Sequence, residues 1–115
     1  MNKYALFVFN EEPMCFVHVL LNALDMHEKN HDVKIVIEGA ATKLLPGLAN
    51  NEVSLYDKWE KVKAAGLVAG VCRACSYQMG TQESAKAQGL ELLADMAGHP
   101  GMAGFRQAGY EIITF

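Results

Sequence analysis

The chain has 115 residues, 51% of them apolar and 20% charged, with thirteen acidic against ten basic side chains and a formal charge of -3. That length specifies one domain burying roughly 60 to 70% of its unfolded surface, and the balance excludes a disordered chain. No basic block exists to neutralise a phosphate backbone, so no nucleic-acid partner is expected, and no run approaches the roughly 18 to 20 apolar residues of a membrane span.

Tyr4 to Phe9 is a continuous apolar run and reads as a strand buried on both faces. It is too short to be the core of a signal peptide with its cleavage site, so a cytoplasmic protein is expected. Pro13 suits a first helical turn, and Phe16, Leu20, Ala23 and Leu24, widened by Val17 and Leu21, predict a helix over Met14–Lys29. Val33–Ile37 is β-branched and ends at Glu38-Gly39, a second strand. Ala40–Leu48 is a short helix candidate interrupted by Pro46-Gly47. Asn50-Asn51 reads as a turn. Ser54 is a candidate cap for the next helix, with Asp57 in the capping-box position, Trp59 and Val62 on its apolar face and Gly66 as its stop.

Leu67–Cys72 predicts the third strand. Ser76–Gln88 reads as helix with a break at Gly80 and a restart capped by Thr81. Leu90–Leu93 is either a short strand or part of a turn. Gly98-His99-Pro100-Gly101 is a loop feeding a helix, with Pro100 at its start and Gly109 at its end. Tyr110–Phe115 is a last strand, expected at or beside the sheet's centre because it is apolar. Strands alternating with helices are the mark of an α/β fold, a mainly parallel sheet covered on both faces. No GxGxxG follows the first strand and no phosphate-binding P-loop occurs, so no nucleotide cofactor is expected.

Cys72-Arg73-Ala74-Cys75 follows Gly66–Val71 directly. Ligands of open parallel sheets bind beyond the strands' carboxyl ends, which is where these thiols fall. Backbone N–H groups of a following helix and the charge of Arg73 are expected to hold the Cys72 thiol below the usual thiol range. A thiolate there suits attack on a sulfur donor, and the same donors would shelter an anionic persulfide. Cys75, three residues on, equally fits a resolving thiol in a dithiol pair. The third cysteine, Cys15, opens the first helix and is expected at the same end of the sheet. Three cysteines without a framework fit a reducing compartment.

Two thiols are too few for a metal, which takes about four ligands. Cys15, His18 and His99 are the only additions considered, no second CxxC or CxxH occurs, and no metal centre is expected. Glu11, Glu12 and Glu38 follow strands, where turns and helix starts collect acids routinely. Lys43 is a candidate anion contact. Trp59 reads as core or an interface anchor, His18 as surface or a packed interface, and His27 and His31 as solvated. His99-Pro100-Gly101-Met102 forms a lid or a tight loop.

The stretch Val71-Cys72-Arg73-Ala74-Cys75-Ser76-Tyr77-Gln78-Met79-Gly80 resembles the small sulfur-relay proteins of the DsrE-like group, including its YchN-type branch. That group places a cysteine at the end of a middle strand with a glycine eight residues later. The acceptor cysteine matches Cys72 and the branch's second cysteine matches Cys75, while Met79 replaces a residue that is usually basic. The resemblance implies a Rossmann-like three-layer sandwich with a five-stranded sheet, a trimer or hexamer, and passage of sulfane sulfur between partner proteins. The expected function is a sulfur carrier with Cys72 as a transient persulfide. The alternatives are an oligomeric binding module for a small anion or partner, and a dithiol redox protein using Cys72 and Cys75.

Overall fold

A computed structural model of the protein describes residues 1–50 and 55–115; Asn51 and Ser54, read above as a turn and a cap, lie outside them. The strands are β1 (Lys3–Val8), β2 (Asp32–Ile37), β3 (Val68–Cys72), β4 (Leu92–Leu93) and β5 (Glu111–Thr114). The helices are α1 (Pro13–Glu28), α2 (Leu45–Ala49), α3 (Tyr56–Ala64), α4 (Arg73–Gln78), α5 (Gln82–Ala87) and α6 (Met102–Gln107), with a 3-10 segment over Gly39–Leu44. All strand pairs are parallel, in the order β4-β3-β2-β1-β5. The fold is α/β and Rossmann-like.

Period-two alternation sorts the strands' side chains between two layers. Leu6, Val8, Val33, Ile35, Ile37 and Val71 join Phe16, Leu20, Trp59 and Val62 in the larger core, under α1 and α3. Ala5, Phe7, Val36 and Tyr110 form a smaller cluster on the other face, capped by Phe105 of α6. Trp59 is core, as its spacing implied, and its Nε1 donates to Gln88 Oε1 at 2.8 Å. Gln88 Nε2 in turn donates to the Leu45 carbonyl at 3.0 Å, so one amide ties α2, α3 and α5.

Several boundaries differ from the expectations. The Pro46-Gly47 interruption splits the second helix candidate into the 3-10 segment and α2, with Pro46 in the first turn of α2, where its missing N–H costs nothing. The helix after Cys72 begins at Arg73 rather than Ser76, and it does break at Gly80, whose φ is 73°. Thr81 precedes α5 but its hydroxyl makes no cap bond and is left buried without a partner. Pro100 lies two residues before α6, whose cap is Gly101. β5 is an edge strand, not central. Its apolar content follows from contact with both layers, Ile113 toward the larger core and Ile112 toward the smaller.

The close approach of β4 to β3 requires Gly70. A Cβ there would stand 2.6 Å from the Glu91 carbonyl oxygen and 2.7 Å from Leu93 Cγ. Val71 N–H donates to that same Glu91 carbonyl at 2.8 Å, so the strand edge cannot simply back away. Gly70→Ala should therefore cost about 1–3 kcal/mol in denaturant unfolding, the usual range for overpacking. A loss under a few tenths of a kcal/mol would mean that β4 shifts freely.

Candidate functional site around Cys72

The β2–β3 register aligns Ile37 with Val71, and so brings the next residues, Glu38 and Cys72, to the same end of the sheet. Cys72 also pairs with Leu93 of β4. The chain leaving β4 then returns over the thiols through a tight turn. Met96 and His99 exchange backbone hydrogen bonds at 2.8 and 2.9 Å, and the two residues between them, Ala97 and Gly98, have φ of 51° and 90°. Positive φ at both central residues is the hairpin-turn geometry that glycine and asparagine favour, and an alanine in it costs about 1–2 kcal/mol. The turn is anchored at both ends: Gly98 carbonyl accepts from Ala74 N–H at 2.9 Å, and Asp95 Oδ1 accepts from Gly101 N–H at 3.1 Å. The loop reading of this segment is correct.

Cys72 is fully buried, at 0% exposure, while Cys75 and His99 are half-buried. Cys72 is both the last residue of β3 and the N-cap of α4, and its Sγ accepts from Cys75 N–H at 3.3 Å. His99 Nδ1 lies 3.1 Å from Cys72 Sγ and 3.5 Å from Cys75 Sγ. Glu38, 7% exposed, completes the group: one carboxylate oxygen, the two sulfurs and a ring nitrogen all fall within 4.8 Å of one another. Three separate segments thus converge on one small volume.

The expected lowering of the Cys72 thiol is overturned. Its pKa is pushed up to about 12, first by burial and then by the Cys75 side chain, with the negative charges of Cys75 and Glu38 adding to the rise; the Cys75 N–H opposes them. A single amide hydrogen bond does not repay the loss of water around a thiolate. The Glu38 carboxyl is likewise raised by burial, opposed by the charge of His99. At neutral pH the resting Cys72 is a thiol.

The other sequence candidates disperse. Cys15 and His18 of α1 are not among the side chains gathered at the thiol pair. Lys43 pairs with Glu11 at 3.3 Å on the surface instead of waiting for an anion. Arg73 is exposed and lines a cleft of about 380 Å³ with Ala74, Tyr77, Gln82 and Gly98. Sequence reasoning treated Glu38 as a turn acid and His99 as a spare ligand. Only the β2–β3 neighbour relation, which a single sequence does not reveal, exposes Glu38.

Burial sets the order of chemical access. In chelator-treated protein at pH 8, iodoacetamide should modify Cys75 at least about tenfold faster than Cys72, and urea should erase the difference. The Cys72 rate should still climb with pH beyond 9, because its thiolate is only then being formed. Equal native rates at pH 8 would contradict this arrangement.

The comparisons with known proteins agree with this fold. The model of the DsrE/DsrF-like family matches residues 4–115. The uncharacterized protein MJ0733 of Methanocaldococcus jannaschii is 34% identical over 97 residues, 84% of this chain and 77% of that one. An uncharacterized protein of Archaeoglobus fulgidus is 40% identical over 40 residues, 35% of this chain and 66% of that one. No solved structure gives a significant match. A family match that runs from the first strand to the last residue, over a sheet bearing its cysteine at the end of β3, places this chain in the DsrE/DsrF-like family.

Proposed function

We propose that the protein is a sulfur carrier in which Cys72 holds sulfane sulfur as a persulfide and Cys75 is its outer relay. The observation that carries this reading is the His99 ring nitrogen 3.1 Å from Cys72 Sγ and 3.5 Å from Cys75 Sγ. A buried thiol needs a base at hydrogen-bonding distance to become a nucleophile, and imidazole is the usual partner. Family membership supports a role related to sulfur relay.

The chemistry balances without an external oxidant. A donor persulfide reaches the half-buried Cys75, whose sulfur attacks its outer sulfur. The donor S–S bond breaks, and the donor leaves as a thiol carrying the Cys75 proton. Cys72 then passes its proton to His99 and attacks the outer sulfur of the Cys75 persulfide. Cys75 is restored as a thiol by that proton, and the sulfur resides on Cys72 under the Gly98 carbonyl, 3.9 Å from Sγ. Attack on the inner sulfur would instead give a Cys72–Cys75 disulfide and release sulfide, which is the dithiol redox alternative; the closeness of the two sulfurs favours testing it directly.

Treatment with a polysulfide donor should add about 32 Da, one sulfur atom, at Cys72, and the adduct should leave on incubation with a thiol acceptor. Cys75→Ser should slow loading about tenfold. No adduct on any cysteine of a readily alkylated protein would defeat the proposal. A loss of two hydrogens with sulfide release would select the redox alternative, and a stable adduct in the wild type at a cysteine other than Cys72 would move the site there.

The carrier is further proposed to be a cytoplasmic homo-oligomer, a trimer or hexamer. All three cysteines are free, as a reducing compartment keeps them. Met14 and Leu21 of α1, Tyr77 and Met79 are exposed, and the smaller core cluster gives one sheet face a thin cover. No helix among the described residues is long and apolar enough to cross a membrane. Light scattering at micromolar concentration should give three or six times the 12.6 kDa chain mass; a monomer would overturn the assembly.

A further inference from the structure

We propose that Glu38, Cys72, Cys75 and His99 form a tetrahedral binding site for Zn(II) that competes with sulfur loading at the same thiols. The sequence led to the opposite expectation, with Cys15, His18 and His99 as the additions in view. The fold keeps His99, on the turn after β4, and supplies Glu38 from the end of β2 in place of Cys15 and His18.

The geometry is that of a small closed site. With Zn–S bonds of about 2.3 Å and Zn–N bonds of about 2.0–2.1 Å, the edges of a tetrahedron are about 3.5 Å for S···N and about 3.8 Å for S···S. The two S···N separations are 3.1 and 3.5 Å, and no pair among the four donor atoms exceeds 4.8 Å. The donor types are equally selective. Two sulfurs and an imidazole exclude Mg(II) and Ca(II), which take oxygen, and suit Zn(II) among the available divalent ions.

Two features beyond the cluster itself point to a cation. Glu38 is 7% exposed, yet among the described residues its carboxylate accepts no hydrogen bond and makes no ion pair. Carboxylates taken out of water normally have a partner, and a divalent ion seated between the four groups would be one. The Cys75 N–H directed at Cys72 Sγ is the outer contact that a metal-bound thiolate retains, and it orients the ligand before the ion arrives. Binding converts two thiols to thiolates and releases two protons to solvent, with no change of oxidation state. A sulfur whose electron pair is given to zinc is a poor nucleophile, so the metal form does not accept sulfur.

The inference shares its cysteines with the sulfur-carrier reading but stands or falls separately. Chelator-stripped full-length protein is titrated with ZnCl2 against a chromophoric chelator, and with CoCl2 for its spectrum. One Zn(II) per chain with sub-micromolar affinity is expected, together with thiolate-to-cobalt charge transfer and intense tetrahedral d–d bands. Cys75→Ser and His99→Asn should each weaken zinc at least about a hundredfold, and Glu38→Gln about tenfold, each variant being checked for native circular dichroism. Cys15→Ser and His18→Asn should leave zinc binding unchanged. Glu38→Gln should still gain a sulfur at Cys72, and zinc-loaded wild type should not. Folded wild type that takes up no stoichiometric zinc, or that binds it as tightly in Cys75→Ser as in the parent, overturns the site. Zinc-free protein that loads sulfur would leave the carrier standing without the metal; zinc binding without sulfur loading would do the reverse.

Discussion

The parallel register between β2 and β3 is the constraint on which the site depends. It aligns Ile37 with Val71, and thereby fixes Glu38 and Cys72 side by side where both strands end. A slip of one residue would turn every side chain of β3 to the opposite layer. Val71, fully buried in the larger core, would then face the smaller one, so the hydrophobic effect holds this geometry in place. Gly70 completes the arrangement by letting β4 come close enough to deliver the turn that carries His99. The site therefore lies off the point where the strand order reverses, between β1 and β5, where open sheets commonly bind ligands.

That placement creates an electrostatic conflict. Burial that would shield a stored sulfur also removes the water that would stabilise a thiolate. The Cys75 N–H and the short helix behind it do not outweigh this, and the carboxyl of Glu38 makes it worse. Two physical remedies fit the site, one of them already at contact distance. One is a base that takes the proton only when a donor arrives, the role given to His99. The other is the proposed cation, which would neutralise the group for as long as it is bound.

The strands were legible because an apolar run bounded by charged or glycine residues has few other solutions: Tyr4–Phe9, Val33–Ile37 and Leu67–Cys72 each match within one or two residues at either end. The break at Gly80 was legible for the same local reason, a positive φ. The edge position of β5 was not, since Ile112 and Ile113 look alike whether a strand has one neighbour or two. The error at Cys72 was one of omission. Counting hydrogen-bond donors near a helix start gives the sign of one contribution, whereas burial, which carries the larger one, is a property of the whole fold. Glu38 was hidden by the same non-locality, being thirty-odd residues from Cys72 in sequence and adjacent to it only through strand order.

The proposed sulfur and metal states of this site would differ in their proton balance, and that difference would order them. Moving a sulfur atom from one persulfide to another leaves the number of bound protons unchanged overall, so its equilibrium is indifferent to pH. Seating Zn(II) expels a proton from each thiol and is favoured as pH rises. The raised Cys72 thiol extends that dependence to higher pH, because its proton would still have to be displaced by the metal where an ordinary thiol is already ionised. On these proposals acidification would free the thiols for sulfur, and a modest alkaline shift or a higher zinc supply would close them. The deep burial that makes Cys72 a reluctant thiolate is in this way also what makes its occupancy responsive: a site with two exposed, already ionised cysteines would hold zinc across the whole neutral range.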